Sequence, residues 1–148
     1  MKKLMLSLLV GSLAVAAQAD VTWSWWLDKT SEKTDLSFGI VTKCARVNTF
    51  ELSLLYNASP VENGVQFAFL GINDSDKAQV LQLAPWFNRG DDSCVQLGFI
   101  NIAKNNVFNL GLVNIADTSK VQIGFLNFNK NGFLPVFPFV NLDKSLFD

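Results

Sequence analysis

The chain has 148 residues, 12 basic against 13 acidic side chains, a net charge of −1 at neutral pH and no histidine. Lack of histidine removes the commonest general base and metal ligand, and the near-balanced charge offers neither a basic patch for nucleic acid nor a polycationic tether. With 49% apolar and 17% charged residues, the length suits a single domain.

Residues 1–19 read as a secretory signal peptide. Lys2 and Lys3 precede an apolar run from Leu4 to Ala17, and Ala17, Gln18 and Ala19 form a small-residue cleavage site. This predicts export to the cell envelope, the outer membrane or the cell surface, with the mature chain starting at Asp20. No cysteine stands at that point to carry a lipid anchor. No later stretch reaches the ~18 apolar residues of a spanning helix.

Residues 20–34 are a Trp-rich N-terminal segment. In VTWSWWLD, Trp23 and Trp25 share one parity and Trp26 stands beside them. This pattern suits either an interfacial anchor or sugar-stacking platform, or an extra strand packed on the repeats.

Residues 35–148 form a repeat domain. DLSFGIVT (35–42) and FELSLLYN (50–57) are weak copies, succeeded by GVQFAFLG, QVLQLAPWF, SCVQLGFIN, NVFNLGLVN and VQIGFLN. The polar residues Gln66, Gln82, Gln96, Asn109 and Gln122 recur at steps of 16, 14, 13 and 13. Gly98, Gly111 and Gly124 lie two residues after the last three of these, and Asn101, Asn114 and Asn127 lie five after. Such self-similarity marks a repeat architecture. Within each copy apolar and polar residues alternate with a period of two, and Val, Ile and Phe abound, which predicts strands.

Between the copies stand NDSDKA (73–78), NRGDDS (88–93), KNN (104–106), ADTSK (116–120) and NKNG (129–132), rich in turn-forming residues. They carry every charge between Gly64 and Leu142, and each reads as a tight turn. The prediction is an all-β, repeat-built meander of about eight short strands: 35–42, 50–57, 65–72, 79–87, 94–102, 107–115, 121–128 and 134–142.

Both faces of these strands lack charge. One is bulky and apolar, the other narrow with one amide and one glycine. Turning the first toward lipid and the second toward a lumen predicts a small up-and-down β-barrel, with Phe50, Tyr56, Trp86, Phe128 and Phe133 as interfacial aromatics. The alternative is a single sheet or β-solenoid stack in which the Gln and Asn residues form ladders. Pro135 and Pro138 make the last strand an edge, a bulge or a cap. Cys44 and Cys94 fall far apart on either arrangement, which predicts free thiols.

Chemistry-bearing motifs are sparse. Arg89, Gly90 and Asp91 spell an integrin-type tripeptide within an expected turn, where turn chemistry alone accounts for them. Asp74, Asp76, Asp91 and Asp92 read as solvated turn charges rather than a cation site. No catalytic, metal or cofactor-binding residues are predicted, and the chain reads as non-enzymatic. The expected partner is outer-membrane lipid or an envelope surface, with a protein or glycan partner left open.

The VQLGFIN and VQIGFLN copies, with NKNGFLPVFPFVNL near the end, resemble bacterial surface repeat-containing proteins, whose unit runs Gly, Leu, Gln, aliphatic, Gly, Leu, aliphatic, Asn. The match is good over 64–142 and loose over 36–57. The resemblance implies an exported, surface-associated bacterial protein and brings no catalytic residues. The chain departs from the pattern at Ala84 and Pro85, and it ends in Phe147 and Asp148, not in the terminal aromatic of outer-membrane barrels.

Overall fold

The computed structural model describes residues 19–26 and 33–147; the expected signal peptide therefore lies, but for Ala19, outside the described residues. These form ten strands: β1 (Val21–Trp26), β2 (Lys33–Thr42), β3 (Arg46–Asn57), β4 (Val61–Glu62), β5 (Val65–Ala68), β6 (Ile72–Leu83), β7 (Phe87–Leu97), β8 (Ile100–Leu110), β9 (Val113–Asn129) and β10 (Val136–Leu142). A 3₁₀ turn, Lys144–Leu146, comes last. The fold is all-β, with no α-helix among the described residues.

Every pairing from β1 to β9 is parallel, and only β10 runs antiparallel to its neighbour. The register places like on like: Gln66 opposite Gln82, Gln82 opposite Gln96, Gln96 opposite Asn109 and Asn109 opposite Gln122. One sequence repeat is thus one coil. An up-and-down barrel needs antiparallel neighbours, which would carry equivalent residues to alternate ends. The barrel expectation is therefore corrected. The chain takes the β-solenoid alternative, and Phe50, Tyr56, Trp86, Phe128 and Phe133 are not barrel girdles.

Where the coil settles to 13 residues, its cross-section is set out by burial. Asn101, Ala103, Asn106 and Asn109 point inward, then Asn114, Ala116, Ser119 and Gln122. From Asn101 the inward steps are two, three, three and five residues, and each step longer than two turns a corner. Each coil thus has three sides. In the coil around Leu112, side A runs over 108–110, side B over 113–116 and the short side C over 118–120. The corner between sides A and B needs glycine. A Cβ on Gly98, Gly111 or Gly124 would stand 2.3, 2.2 or 2.1 Å from the carbonyl oxygen of the residue one coil below.

This geometry also corrects the turn assignments. The ladder breaks at 98–99 and 111–112, inside the expected strands, whereas most of the polar linkers run as strand within β6, β7, β8 and β9. Strand continuity is set by pairing to the next coil, so a corner that keeps its pairing remains strand.

The ends are specialised. The Trp-rich segment supplies β1, which pairs with β2 so that Thr22 lies opposite Ser37 and Trp23 opposite Phe38. It extends the stack rather than standing outside it. At the other end β10 folds back along the last coil, with a register shift between Phe137 and Phe139 that accommodates Pro138. Phe139 adopts φ 68° there. The expected edge, bulge or cap is all three at once.

Candidate functional site: a polar-cored prism with an apolar edge

The interior is built from amides. Each Asn of one column donates its Nδ2 to the Oδ1 of the next: Asn57 to Asn73 at 2.7 Å, Asn73 to Asn88 at 2.9 Å, Asn88 to Asn101 at 3.0 Å, Asn101 to Asn114 at 2.8 Å and Asn114 to Asn127 at 2.7 Å. The second amide proton braces the coil: Asn88, Asn101 and Asn114 donate to the carbonyls of Leu97, Leu110 and Ile123. A Gln column runs the other way, from Gln96 to Gln82 at 2.7 Å and from Gln82 to Gln66 at 2.9 Å. Gln66 completes it by donating to Glu51 at 2.8 Å. A lumen this narrow admits one amide per side, and amides satisfy one another along a stack because each carries both donor and acceptor.

Asn109 interrupts the Gln column. It is one methylene shorter than its neighbours. Both its amide atoms, with Gln96 Oε1 and Gln122 Oε1, are buried without a hydrogen-bond partner.

Two carboxyls share this interior. Glu51 accepts from Thr42 and Ser59 hydroxyls at 2.8 and 2.5 Å, and Glu62 accepts from the Gly64 amide at 2.8 Å while its Oε2 has no partner. Burial raises Glu51 above the usual carboxyl range despite those hydrogen bonds. Burial, reinforced by the nearby Glu51 charge, pushes Glu62 up to about 8.

The exterior reverses the usual rule. Large apolar side chains stand outward on side A along its whole length, as in the series Phe50, Val65, Leu81, Val95, Phe108 and Val121. The corner between sides A and B is a continuous ridge from Phe69 through Trp86, Phe99, Leu112 and Phe125 to Phe139. Leu112 is 55%, Phe125 67% and Phe139 68% exposed. Trp86 meets Phe99 edge-on at 5.5 Å, and Phe125 meets Phe139 at 6.5 Å. Toward the first coils the ridge flank opens into an apolar groove of about 940 Å³ lined by Trp23, Trp25, Phe38, Leu52, Phe67 and Phe69.

Charge lies mostly on the far side, with the Asp74 and Arg89 pair on side B. Arg89 pairs with Asp74 at 3.4 Å, Lys104 with Asp91, and Asn105 donates to Asp92 at 2.8 Å, each between adjacent coils. Side C is therefore polar, although Val80 and Val107 are exposed at its corner with side A.

The structure divides the predicted positions between core, corner and surface. Gln66, Gln96, Gln122, Asn101, Asn109, Asn114 and Asn127 line the interior, with Gly98, Gly111 and Gly124 at the tight corner. Trp23 and Trp25 are exposed, Trp23 stacking on Phe38 at 5.1 Å; Trp26 lies opposite Val41. Arg89, Gly90 and Asp91 do not form a presented turn: Gly90 faces inward in β7, and its neighbours are held by Asp74 and Lys104. Among the described residues no three acidic, thiol or imidazole groups gather, at Asp76 and Asp92 or elsewhere. Cys44 and Cys94 are unbridged. Sequence reasoning missed the ridge, because Phe99, Leu112 and Phe125 were counted as members of flat strands; the Gly before each was the available signal. A scan of family models and searches among curated proteins and solved structures found no match to this chain.

Proposed function

We propose that the protein is a non-enzymatic β-solenoid of a bacterial cell envelope, exported and held at a surface, where it acts by contact as an adhesion or interaction module. The observation that carries this reading is the inverted surface: amides fill the interior while an unbroken apolar ridge stands in the open. Soluble proteins rarely expose contiguous apolar patches beyond a few hundred Å², and larger ones mark interaction sites. The interior is filled by its own ladders, which leaves the outer surface to do the work.

The leader-like first residues and the resemblance to surface repeat proteins support the envelope placement. Expression with these residues in a Gram-negative host tests it. The expected result is a protein shortened at its N-terminus that fractionates with the envelope or the medium. Full-length protein retained in the cytosol would overturn the reading.

A further inference from the structure

We infer that the ridge is a lipid-docking edge: the prism lies along a bilayer with the corner between sides A and B sunk into one leaflet and side C left in water. This deepens the contact role proposed above and rests on it.

The shape decides the partner. From Trp86 to Phe139 the apolar surface is convex, two flat sides meeting at a ridge; the groove that a peptide could fill flanks only the first coils. A second copy packed on side A leaves the ridge and side B in water. A fluid hydrocarbon phase covers all three at once.

The distances agree. Phe125 lies midway between Lys120 and Lys130, five residues from each, and Leu112 lies five before Asp117. At about 3.3 Å per residue the charges stand roughly 16 Å from the ridge. One leaflet of hydrocarbon is about 15 Å deep. The charged corners thus reach the headgroups when the ridge reaches mid-bilayer.

Backbone groups are the usual obstacle to placing sheet in lipid, because unpaired amides are costly there. Here each coil pairs with the next on both flanks, the Phe99, Gly111 and Val113 amides bond to adjacent coils where the ladder breaks at the ridge, and β10 covers the last coil, so the outer edge of β1 is the open one among the described residues. Phe139 carries the apolar edge onto the cap. On side B the Asp74 and Arg89 pair sits only three residues beyond Trp86, whereas Ile102 and Ile115 occupy that column later. The C-terminal coils therefore sit deeper than the middle ones.

The test uses the mature chain with vesicles of phosphatidylcholine, a zwitterionic lipid chosen because the binding needs no opposite charge. Flotation is expected to carry the protein with the vesicles, unchanged by about 1 M salt, which screens charge and not hydrophobic contact. Leu112→Asp and Phe125→Asp, both at exposed positions, are each expected to weaken partitioning by about tenfold or more. Thr118→Asp on side C leaves it unchanged, and circular dichroism confirms that all three remain β-folded. In a variant retaining Trp86 alone, bromolipid quenching is expected, and it is stronger once Phe125→Trp replaces Trp86 as the reporter.

No flotation, or flotation that Leu112→Asp leaves intact, overturns the inference. So does an oligomer dispersed by Leu112→Asp in a protein that ignores vesicles, since a second copy then covers the ridge. Either failure in a protein that still fractionates with the envelope removes the lipid edge alone. Cytosolic retention removes the envelope reading instead.

Discussion

At the residue scale the stability of this molecule depends on whether buried amides find partners. Asn109 is the place where they fail, leaving unpaired groups above and below it. An unmade buried hydrogen bond costs about 1–3 kcal/mol. Asn109→Gln restores the missing methylene and is expected to raise the melting temperature by several degrees, measured by thermal dichroism; an unchanged or lower value would show that the column cannot accept the longer side chain. Gly111→Ala should act in the opposite sense, because its Cβ would meet the Gly98 carbonyl oxygen at 2.2 Å. Glu62 adds a pH dependence. Its folded pKa of about 8 exceeds the ordinary 4.5, through burial first. The folded state thus binds more protons than the unfolded chain between those values, and stability is greatest below pH 4.5 and is lost as pH rises toward 8. At about 1.4 kcal/mol per pH unit, denaturant titrations across this window should show the fall, and Glu62→Gln should reduce it, leaving the part of the same sign that buried Glu51 contributes. The shared face of Gln96, Asn109 and Gln122 was legible in the sequence, since an amide flanked by apolar neighbours at strand spacing faces the opposite side from them. The gap at Asn109 was not, because it exists only when the column is stacked.

At the scale of elements, β10 closes an otherwise open ladder. An unprotected strand edge templates further pairing, and identical amide columns make self-stacking especially favourable. Pro138 in the bulge and the antiparallel direction both prevent β10 from acting as another coil. Truncation after Asn131 is therefore expected to yield concentration-dependent assemblies detected by sedimentation, whereas the intact chain stays dispersed or lipid-bound. Pro135 and Pro138 announced this cap in the sequence. The corners were not announced. Linkers such as NRGDDS carry every mark of turns, yet 88–93 run as strand, because the parallel partner on each side supplies hydrogen bonds that a tight turn would have to find within itself.

At the scale of the whole molecule, a stack in which each coil touches only its neighbours should tolerate the loss of a unit. Removal of residues 100–112 joins Phe99 to Val113 one full period on, and the 13-residue register between β8 and β9 predicts a shorter but folded solenoid. A deletion one residue shorter throws every inward amide out of column, and dichroism with proteolysis should show it unfolded. The same stacking gives the prism its segregated surface. Residues that look scattered along the chain fall into columns, so of the ten acidic or basic side chains from Asp74 to Lys130 all but Asp74 and Arg89 gather away from the ridge.

The sequence by itself determined the extended backbone, the length of the unit and the shared face of Gln96, Asn109 and Gln122, because each depends only on local alternation and on the spacing of like residues; Asn101, Asn114 and Asn127 turn inward as well only because the glycine corner shifts the parity. Parallel stacking instead of antiparallel closure was a decision of the tertiary structure, since both use the same strands and differ in whether Gln meets Gln. The ridge was too. Phe99, Leu112 and Phe125 become neighbours only when coils of equal length place the same corner at the same point, and that is a property of the stack and of no single segment.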